Sequence, residues 1–485
     1  MQQKSEVPEG WACCKMGEIS QIIGGGTPTS SDQTNFEDNG FPWLTPADLS
    51  GFSGKYIERG SRSLSEKGLK TSSAKAMPAG TVLMSSRAPI GYLAIAANPI
   101  CTNQGFKSFI LKGGIFSDYI FYWLKYSMDV IESMASGTTF KEISGSRAKE
   151  IPVLVPPLPE QHRIAAAIET LFARLDAANA RLERVPGILK QFRQSIFIAA
   201  FSGQLTRDYE PECLDNQVSN KQQDQTKEIE VQEPLKLYPL PSNWSWSTVA
   251  EIASRLQYGA SVKADAGANE GIPILRMGNI RDNKIDITEL KYVNPGKNDY
   301  SSFYLQKGDI LFNRTNSPEL VGKSAVFDLD LNALFASYII RIQTDPALIS
   351  NKYLCLWINS PWGRWWARTV RTDGVSQSNI SATKVKSMPI PLPPLPEQHE
   401  IVRRVDALFA LADKIEAEVA AARAKTETMR QSILAQAFSG RLVPTEAELA
   451  RREGREYEPA SVLLERIRSG ERAKKAGKES QSTLT

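Results

Sequence analysis

The sequence predicts an α+β protein in which two similar globular units alternate with two long helices that pair as an antiparallel coiled coil. Three observations carry this. PPLPEQH stands at residues 156–162 and again at 393–399. Each copy opens a long apolar-periodic segment, and both segments close on AFSG, at 200–203 and 437–440. The offset is 237 from end to end, so no insertion or deletion separates the copies. A period of that length is a duplicated domain plus helix, not a solenoid repeat.

The first unit opens on PEGW (8–11) and the second on PSNW (241–244). Inside them GFPWL (40–44) answers GIPIL (271–275), AGTVLMSSR (79–87) answers KGDILFNR (307–314), and SGTTFKEIS (136–144) answers DGVSQSNIS (373–381). Short β-rich runs at 81–84, 108–111, 310–312 and 338–342 lie between Gly, Pro and Asn punctuation and predict strands. Residues 118–126 and 351–359 predict short helices.

The long helices are read from an a/d seam. Ile164, Ile168, Leu171, Leu175, Ala178, Leu182, Val185, Leu189, Phe192 and Ile196 alternate steps of four and three. Ile401, Val405, Leu408, Ala412, Ile415, Val419, Ala422, Thr426, Met429 and Ile433 repeat those steps. Such a seam needs a partner helix, and the chain supplies an equivalent one. An intramolecular antiparallel pair would put the globular units at opposite ends, related by a pseudo-two-fold axis. Each helix should start just after Pro159 or Pro396 and stop at Gly203 or Gly440. Pro186 stands where the second copy has Arg423, so the first helix should kink or break there. The resulting segments are 1–155, first globular domain; 156–205, first helical region; 206–236, polar linker; 237–392, second globular domain; 393–444, second helical region; and 445–485, charged tail, with a short amphipathic helix at 460–468.

Composition narrows function by exclusion. No run approaches 18 apolar residues, so no membrane span is expected. The N-terminus lacks a signal-peptide pattern. Five cysteines without a CxxC pair fit a reducing cytoplasm. Two histidines more than 200 residues apart do not make a zinc site. Residues 1–150 hold 15 Lys and Arg against 14 Asp and Glu, and residues 237–387 hold 17 against 13, so net charge alone does not argue for nucleic acid. There is no NPPY or NPPF tetrapeptide of an amino-methyltransferase. Gly24-Gly25-Gly26 is a lone glycine run and reads as a turn. SPELVGKS (317–324) resembles a phosphate loop but lacks its first glycine and the acidic strand end that should follow.

Two diverged domains alternating with two near-identical helices, each introduced by PLPPLPEQ or PPLPEQ and closed by AFSG-x-L, resemble the specificity subunit of type I restriction-modification systems. FRQSIFIAAFSGQL (192–205) and MRQSILAQAFSGRL (429–442) are the strongest marks beside the PPLPEQH copies. The resemblance implies a chain that catalyses nothing. Each domain would be a target-recognition domain reading one half of a split double-stranded DNA target, with the helices setting the spacing. Two methyltransferase subunits would dock on it and methylate adenine, and two motor-nuclease subunits would join for restriction. S-adenosylmethionine, ATP and magnesium would sit on those partners and not on this chain. Four residues added to a helix would shift a domain by about 6 Å, close to two base pairs.

Candidate DNA contacts follow from position after strands and from side chains that suit bases and phosphates. In the first domain they are Ser85, Ser86, Arg87, Lys107, Thr138, Thr139 and Lys141. In the second they are Arg276, Asn279, Asn313, Arg314, Asn316, Lys323, Gln377, Ser378 and Asn379, with Arg87 and Arg314 as the matched pair. The alternative is that these polar residues close turns. Trp357, Trp362, Trp365 and Trp366 read as core or partner interface sooner than as a base-stacking platform. Candidate partner contacts lie on the repeats: Pro157, Leu158, Glu160, Gln161, His162 and Phe201, then Pro394, Leu395, Glu397, Gln398, His399 and Phe438. The alternative for these is capping the helix and packing its start against the domain. The competing function is a coiled-coil adaptor between proteins that never touches DNA.

Overall fold

The computed structural model describes residues 7–87, 89–137, 141–209, 240–262, 271–281, 283–294, 299–375 and 377–470. It divides into two compact units, Met1–Leu182 with Ala421–Thr485, and Glu183–Ala420. Thr138, Thr139, most of the 206–236 linker and the end of the tail lie outside the described residues.

The first unit is built on a five-stranded sheet in the order Ser20–Gly24, Phe106–Leu111, Val82–Ser86, Ile90–Ala96, Tyr56–Ile57. Side chains of its central strand alternate between two cores. Val82 and Met84 pack with the Ser117–Tyr126 helix, while Leu83 packs with Leu44, Ile57 and Ala94 on the other face. The second unit repeats this with four strands in the order Ala253–Tyr258, Ile339–Thr344, Ile310–Asn313, Ser324–Val326. Ile310 and Phe312 face the Asn351–Asn359 helix, and Leu311 faces Leu275 and Phe335. The predicted strands and helices are all present, shifted by a few residues at their ends. In each unit a short antiparallel ladder joins domain entry to domain exit: Ala12–Lys15 with Pro152–Val155, and Ser245–Thr248 with Pro389–Leu392. The chain therefore enters each long helix from a fixed point.

The long helices are Leu158–Leu182, Val185–Phe201 and Leu395–Phe438. The break falls where Pro186 predicts it. Proline fits the first turn of a new helix because its missing N–H has no intrahelical partner there. The second copy, with Arg423, runs unbroken for 44 residues. Gly203 (φ +76°) and Gly440 (φ +71°) end the helices in the left-handed region, where only glycine is unstrained. Pairing is antiparallel in each unit. In the first, Thr426 donates to Asn179 (2.8 Å) and Arg430 pairs with Asp176. In the second, Arg193 pairs with Asp413 (2.7 Å) and Glu416 (2.9 Å), and Phe197 meets Phe409 edge to face. The seam is buried at Ile164, Ile168, Ile196, Ile401 and Val405, where a domain also covers it, and at Ala412. Farther along the helices Ala178 is exposed, and Met429 is 43% exposed.

The short helix expected at 460–468 is present, and the tail packs it into the first unit. Glu446–Glu453 and residues 460–470 are helical, and Ala460, Leu463 and Leu464 complete the first unit's core. The Ala460 N–H donates to the Gly10 carbonyl (2.9 Å), and Arg468 pairs with Glu18 (2.7 Å). Residues 445–470 therefore belong to the first unit.

Candidate nucleic-acid interface

The repeated segments form an anchor, built twice from the same contacts. Glu160 accepts from the Trp11 indole N–H (2.8 Å), and Glu397 accepts from that of Trp244 (3.1 Å). Gln161 accepts from the Phe116 N–H (2.8 Å) and donates to the Gly114 (3.3 Å) and Pro156 (2.9 Å) carbonyls. Gln398 does the same with Ser350 (2.8 Å), Leu348 (3.0 Å) and Pro393 (2.9 Å). Tyr119 and Trp123 donate to the Leu154 and Pro152 carbonyls, and Phe438 packs edge to face on both rings. Tyr353 and Trp357 donate to Pro391 and Pro389, with Phe201 on their rings. Burial pushes both phenols well above their ordinary pKa, so they remain donors.

This corrects part of the partner assignment. Pro157, Glu160, Gln161, Gln398, Phe201 and Phe438 are buried and used within their own unit. Glu397 is half-buried and bonded to Thr206, Asn243 and Trp244, and Leu395 is half-buried. Leu158, His162, Pro394 and His399 are exposed. Trp357 and Trp366 are likewise core.

A polar edge that gathers many of the candidate DNA contacts lies beyond the central strand of each sheet. In the second unit Ile310–Asn313 runs on through Arg314 into Thr315–Asn316, which pairs with Ser378–Asn379. The Arg314 guanidinium lies over the Tyr258 ring at 4.7 Å and donates to Asn379 Oδ1 (3.1 Å) and the Ser337 carbonyl (3.4 Å). Its Nε is buried without a hydrogen-bond partner. Asn379 Nδ2 donates to Thr315 Oγ1 (2.9 Å). Arg314, Asn316 and Asn379 are thus brought together, half-buried, and Gln377 stands exposed nearby in the chain. Arg276 is half-buried ahead of its own short turn, and Lys323 is half-buried in the hairpin after the strand.

In the first unit Lys107 Nζ donates to Ser86 Oγ (3.2 Å) and Glu142 (3.4 Å), and Arg87 stands 4.0 Å from the same carboxylate. Lys141 is exposed beside it. Strand register corrects the Arg87–Arg314 match. Val82 pairs Phe109 where Ile310 pairs Ile342, and the Ile143 N–H bonds Ser86 O where the Ile380 N–H bonds Arg314 O. Ser86 therefore occupies the place of Arg314, and Arg87 that of Thr315.

Several candidates serve the fold instead. Ser85 donates to the Pro89 carbonyl and accepts from the Tyr92 N–H. Asn279 bonds Asp286, Glu289 and Arg276 backbone atoms. Asn313 is fully buried and donates to the Met277 carbonyl. Ser378 is fully buried against Asp373. Ser86 is also fully buried, so it reaches the edge only through Lys107. Residues 317–324 form a hairpin loop joining antiparallel strands, and Arg364 caps its Glu319 and Val321 carbonyls. Carbonyls facing a guanidinium do not cradle phosphate. The glycine run is explained by close approach: a Cβ on Gly25 would lie 1.9 Å from the Asn103 carbonyl oxygen, and one on the equivalent Gly259 2.3 Å from that of Ala336.

Sequence reasoning missed Tyr258 and Glu142. Aligning SGTTFKEIS with DGVSQSNIS already puts Glu142 opposite Asn379, but a search for phosphate-compatible groups passes over a carboxylate. Among the described residues no His, Cys, Asp and Glu group is arranged to hold a metal, and no helix is long and apolar enough to cross a membrane.

Fold and edges together define a duplicated recognition scaffold: two like domains on like anchors, with unlike polar edges. The chain belongs to the type I restriction-modification DNA specificity family, whose sequence profile matches residues 8–186 and 241–421. The EcoKI specificity subunit of Escherichia coli K12 is 30% identical over 492 residues, covering 98% of each chain. The EcoBI specificity subunit of Escherichia coli is 31% identical over 368 residues, covering 74% of this chain and 73% of its own. The HsdS subunit from Thermoanaerobacter tengcongensis has the same fold, with TM-score 0.60 and 17% identity over 91% of this chain and 99% of its own. A chain from a structure on complex assembly and conformational transition of the type I R-M system gives TM-score 0.62 and 18% identity over 90% and 99%.

Proposed function

We propose that this chain reads a bipartite duplex target, one half with each recognition domain, and scaffolds two adenine methyltransferase subunits, with two motor-nuclease subunits joining for restriction. It catalyses nothing itself. S-adenosylmethionine, ATP and magnesium belong to the partners, and the complex works in the cytoplasm. The observation that carries this reading is the pattern of sameness: the anchors share their tryptophan, glutamine, tyrosine and phenylalanine contacts, while the edges that would meet bases differ. A scaffold for one partner used twice needs equal supports, and a reader of two unrelated half-sites needs unequal edges.

Two equivalent docking sites are supported by a second duplication. Glu169, Phe172, Ala173 and Asp176 line a groove between domain and helix in the first unit. Asp406, Phe409, Ala410 and Asp413, each 237 residues on, line the corresponding groove in the second.

The test is modification mapping by long-read sequencing after co-expression with a type I methyltransferase subunit. A methylated-adenine motif of two halves with an unspecified spacer, its second half relaxed by Arg314→Ala, is expected. No motif, together with duplex binding that ignores salt, would leave the adaptor reading in its place, because phosphate neutralisation makes DNA affinity fall steeply with salt.

A further inference from the structure

We infer that Glu142 is the base-reading group of the first domain, accepting a hydrogen bond from the exocyclic amine of a cytosine. The inference rests on the reading of the edge as DNA-facing and adds to it the residue that decides one base. Glu142 holds the position that Asn379 holds in the second unit. Each sits on the segment that pairs with the continuation of the central strand: Glu142 bridges Arg87, and Asn379 pairs Thr315. The next residue in each case bonds the strand it faces, Ile143 N–H to Ser86 O (3.0 Å) and Ile380 N–H to Arg314 O (2.9 Å). The Glu142 backbone is fixed from the other side as well, its N–H and carbonyl both bonded to Ser136.

Chemistry separates the two positions. Asn379 presents an amide, held by Arg314 and Thr315. Glu142 presents a carboxylate, held by Lys107 and flanked by Arg87, with its side chain 42% exposed. A bare carboxylate on a DNA-facing edge would be repelled by phosphates. Two cations beside it offset that penalty, and its 42% exposure leaves carboxylate oxygen accessible to a donor. In the major groove a carboxylate accepts from cytosine N4, whereas an amide bonds adenine N6 and N7 bidentately. Lys107, with only 12% of its side chain exposed and bonded to both Ser86 and Glu142, acts as a positioning residue.

The experiment uses the full chain in complex with its methyltransferase partner and compares wild type, Glu142→Ala and Glu142→Gln by methylation mapping and by duplex titration against salt. The first half-site is the one that Arg314→Ala leaves intact. It should contain a position requiring a G·C pair. Glu142→Ala is expected to make that position degenerate with the second half unchanged, at a cost of about 5- to 150-fold in discrimination. Glu142→Gln is expected to move the preference there toward adenine, which also guards against a folding defect in the alanine variant. Unchanged specificity in both variants, with affinity raised for every duplex and a salt slope steeper by about one, would reduce Glu142 to a neutraliser of Arg87 and Lys107 and overturn the inference. Failure of the wild type to give any bipartite motif would instead count against the proposed function.

Discussion

The anchor and the edge of this molecule have had opposite histories since the chain was duplicated. At the anchors, Trp11 and Trp244, Gln161 and Gln398, Tyr119 and Tyr353, and Phe438 and Phe201 make the same bonds and ring contacts. At the edges, Ser86 stands in the first unit where Arg314 stands in the second, Glu142 where Asn379 stands, and Gly24 where Tyr258 stands. Buried, fully bonded positions tolerate little exchange, since an unpaired donor or acceptor costs its whole desolvation. The edge positions other than buried Ser86 are half-buried or exposed and carry less of that penalty, so they are free to follow whatever they bind.

That contrast is exposed to direct attack. Phe438→Ala and Phe201→Ala should each cost about 3–5 kcal/mol, and by similar amounts, when unfolding of the two units is followed separately by hydrogen exchange. A large loss in one unit and none in the other would show that the anchors are not equivalent. Gln161→Ala and Gln398→Ala come next. Each strands one N–H and two carbonyls, and a loss of about 2–4 kcal/mol is expected from chemical denaturation. At the edges equality should fail. Arg314→Ala is expected to cost about 1–3 kcal/mol of duplex affinity and to relax only the second half-site, while Ser86→Ala should leave base preference in the first half intact.

The smallest effect is the pH response of the first anchor. Burial raises the Glu160 carboxyl above its ordinary range despite bonds from the Glu446 N–H and Trp11. The folded state therefore holds that proton more tightly than the unfolded chain, and stability rises as pH falls from the raised value toward the unfolded one. Glu446 behaves oppositely. Burial alone would raise it, but Arg163 and Arg455 outweigh burial and hold it low. Its contribution is present above the unfolded carboxylate value and is lost as pH falls below it toward the depressed one. Glu446→Gln should soften the acid-side loss and leave the rise above about pH 4.3 in place. A denaturation series at stepped pH in which the variant loses the rise instead would reverse this assignment.

Much of the fold was legible because its signals are periodic or duplicated. The 4-3 seam located the helices, Pro186 located the break, and the PEGW and PSNW openings marked where both domains begin. The edges were harder to read. Arg87 and Arg314 align by sequence, but loop lengths differ, and only strand pairing reveals the one-residue offset. Ser85, Asn279 and Asn313 look like contacts from composition, yet each is consumed by backbone bonding that no local pattern announces. The helix at 460–468 was legible from its amphipathic pattern, but its docking was not, because its buried residues, Ala460, Leu463 and Leu464, are few and a partner such as Gly10 is remote in sequence.

The anchor has one more consequence. Gln161 and Gln398 hold the domains through main-chain N–H and carbonyl groups, at Phe116 and Gly114 and at Ser350 and Leu348. A socket that grips peptide groups is indifferent to the side chains of what it holds. Any cassette that begins near PEGW, supplies one helix with a tyrosine and tryptophan a turn apart, and returns to PPLPEQ would fit it. New target preferences could then be acquired by exchanging the cassette whole, with no adjustment of the scaffold and no loss of the partners it carries.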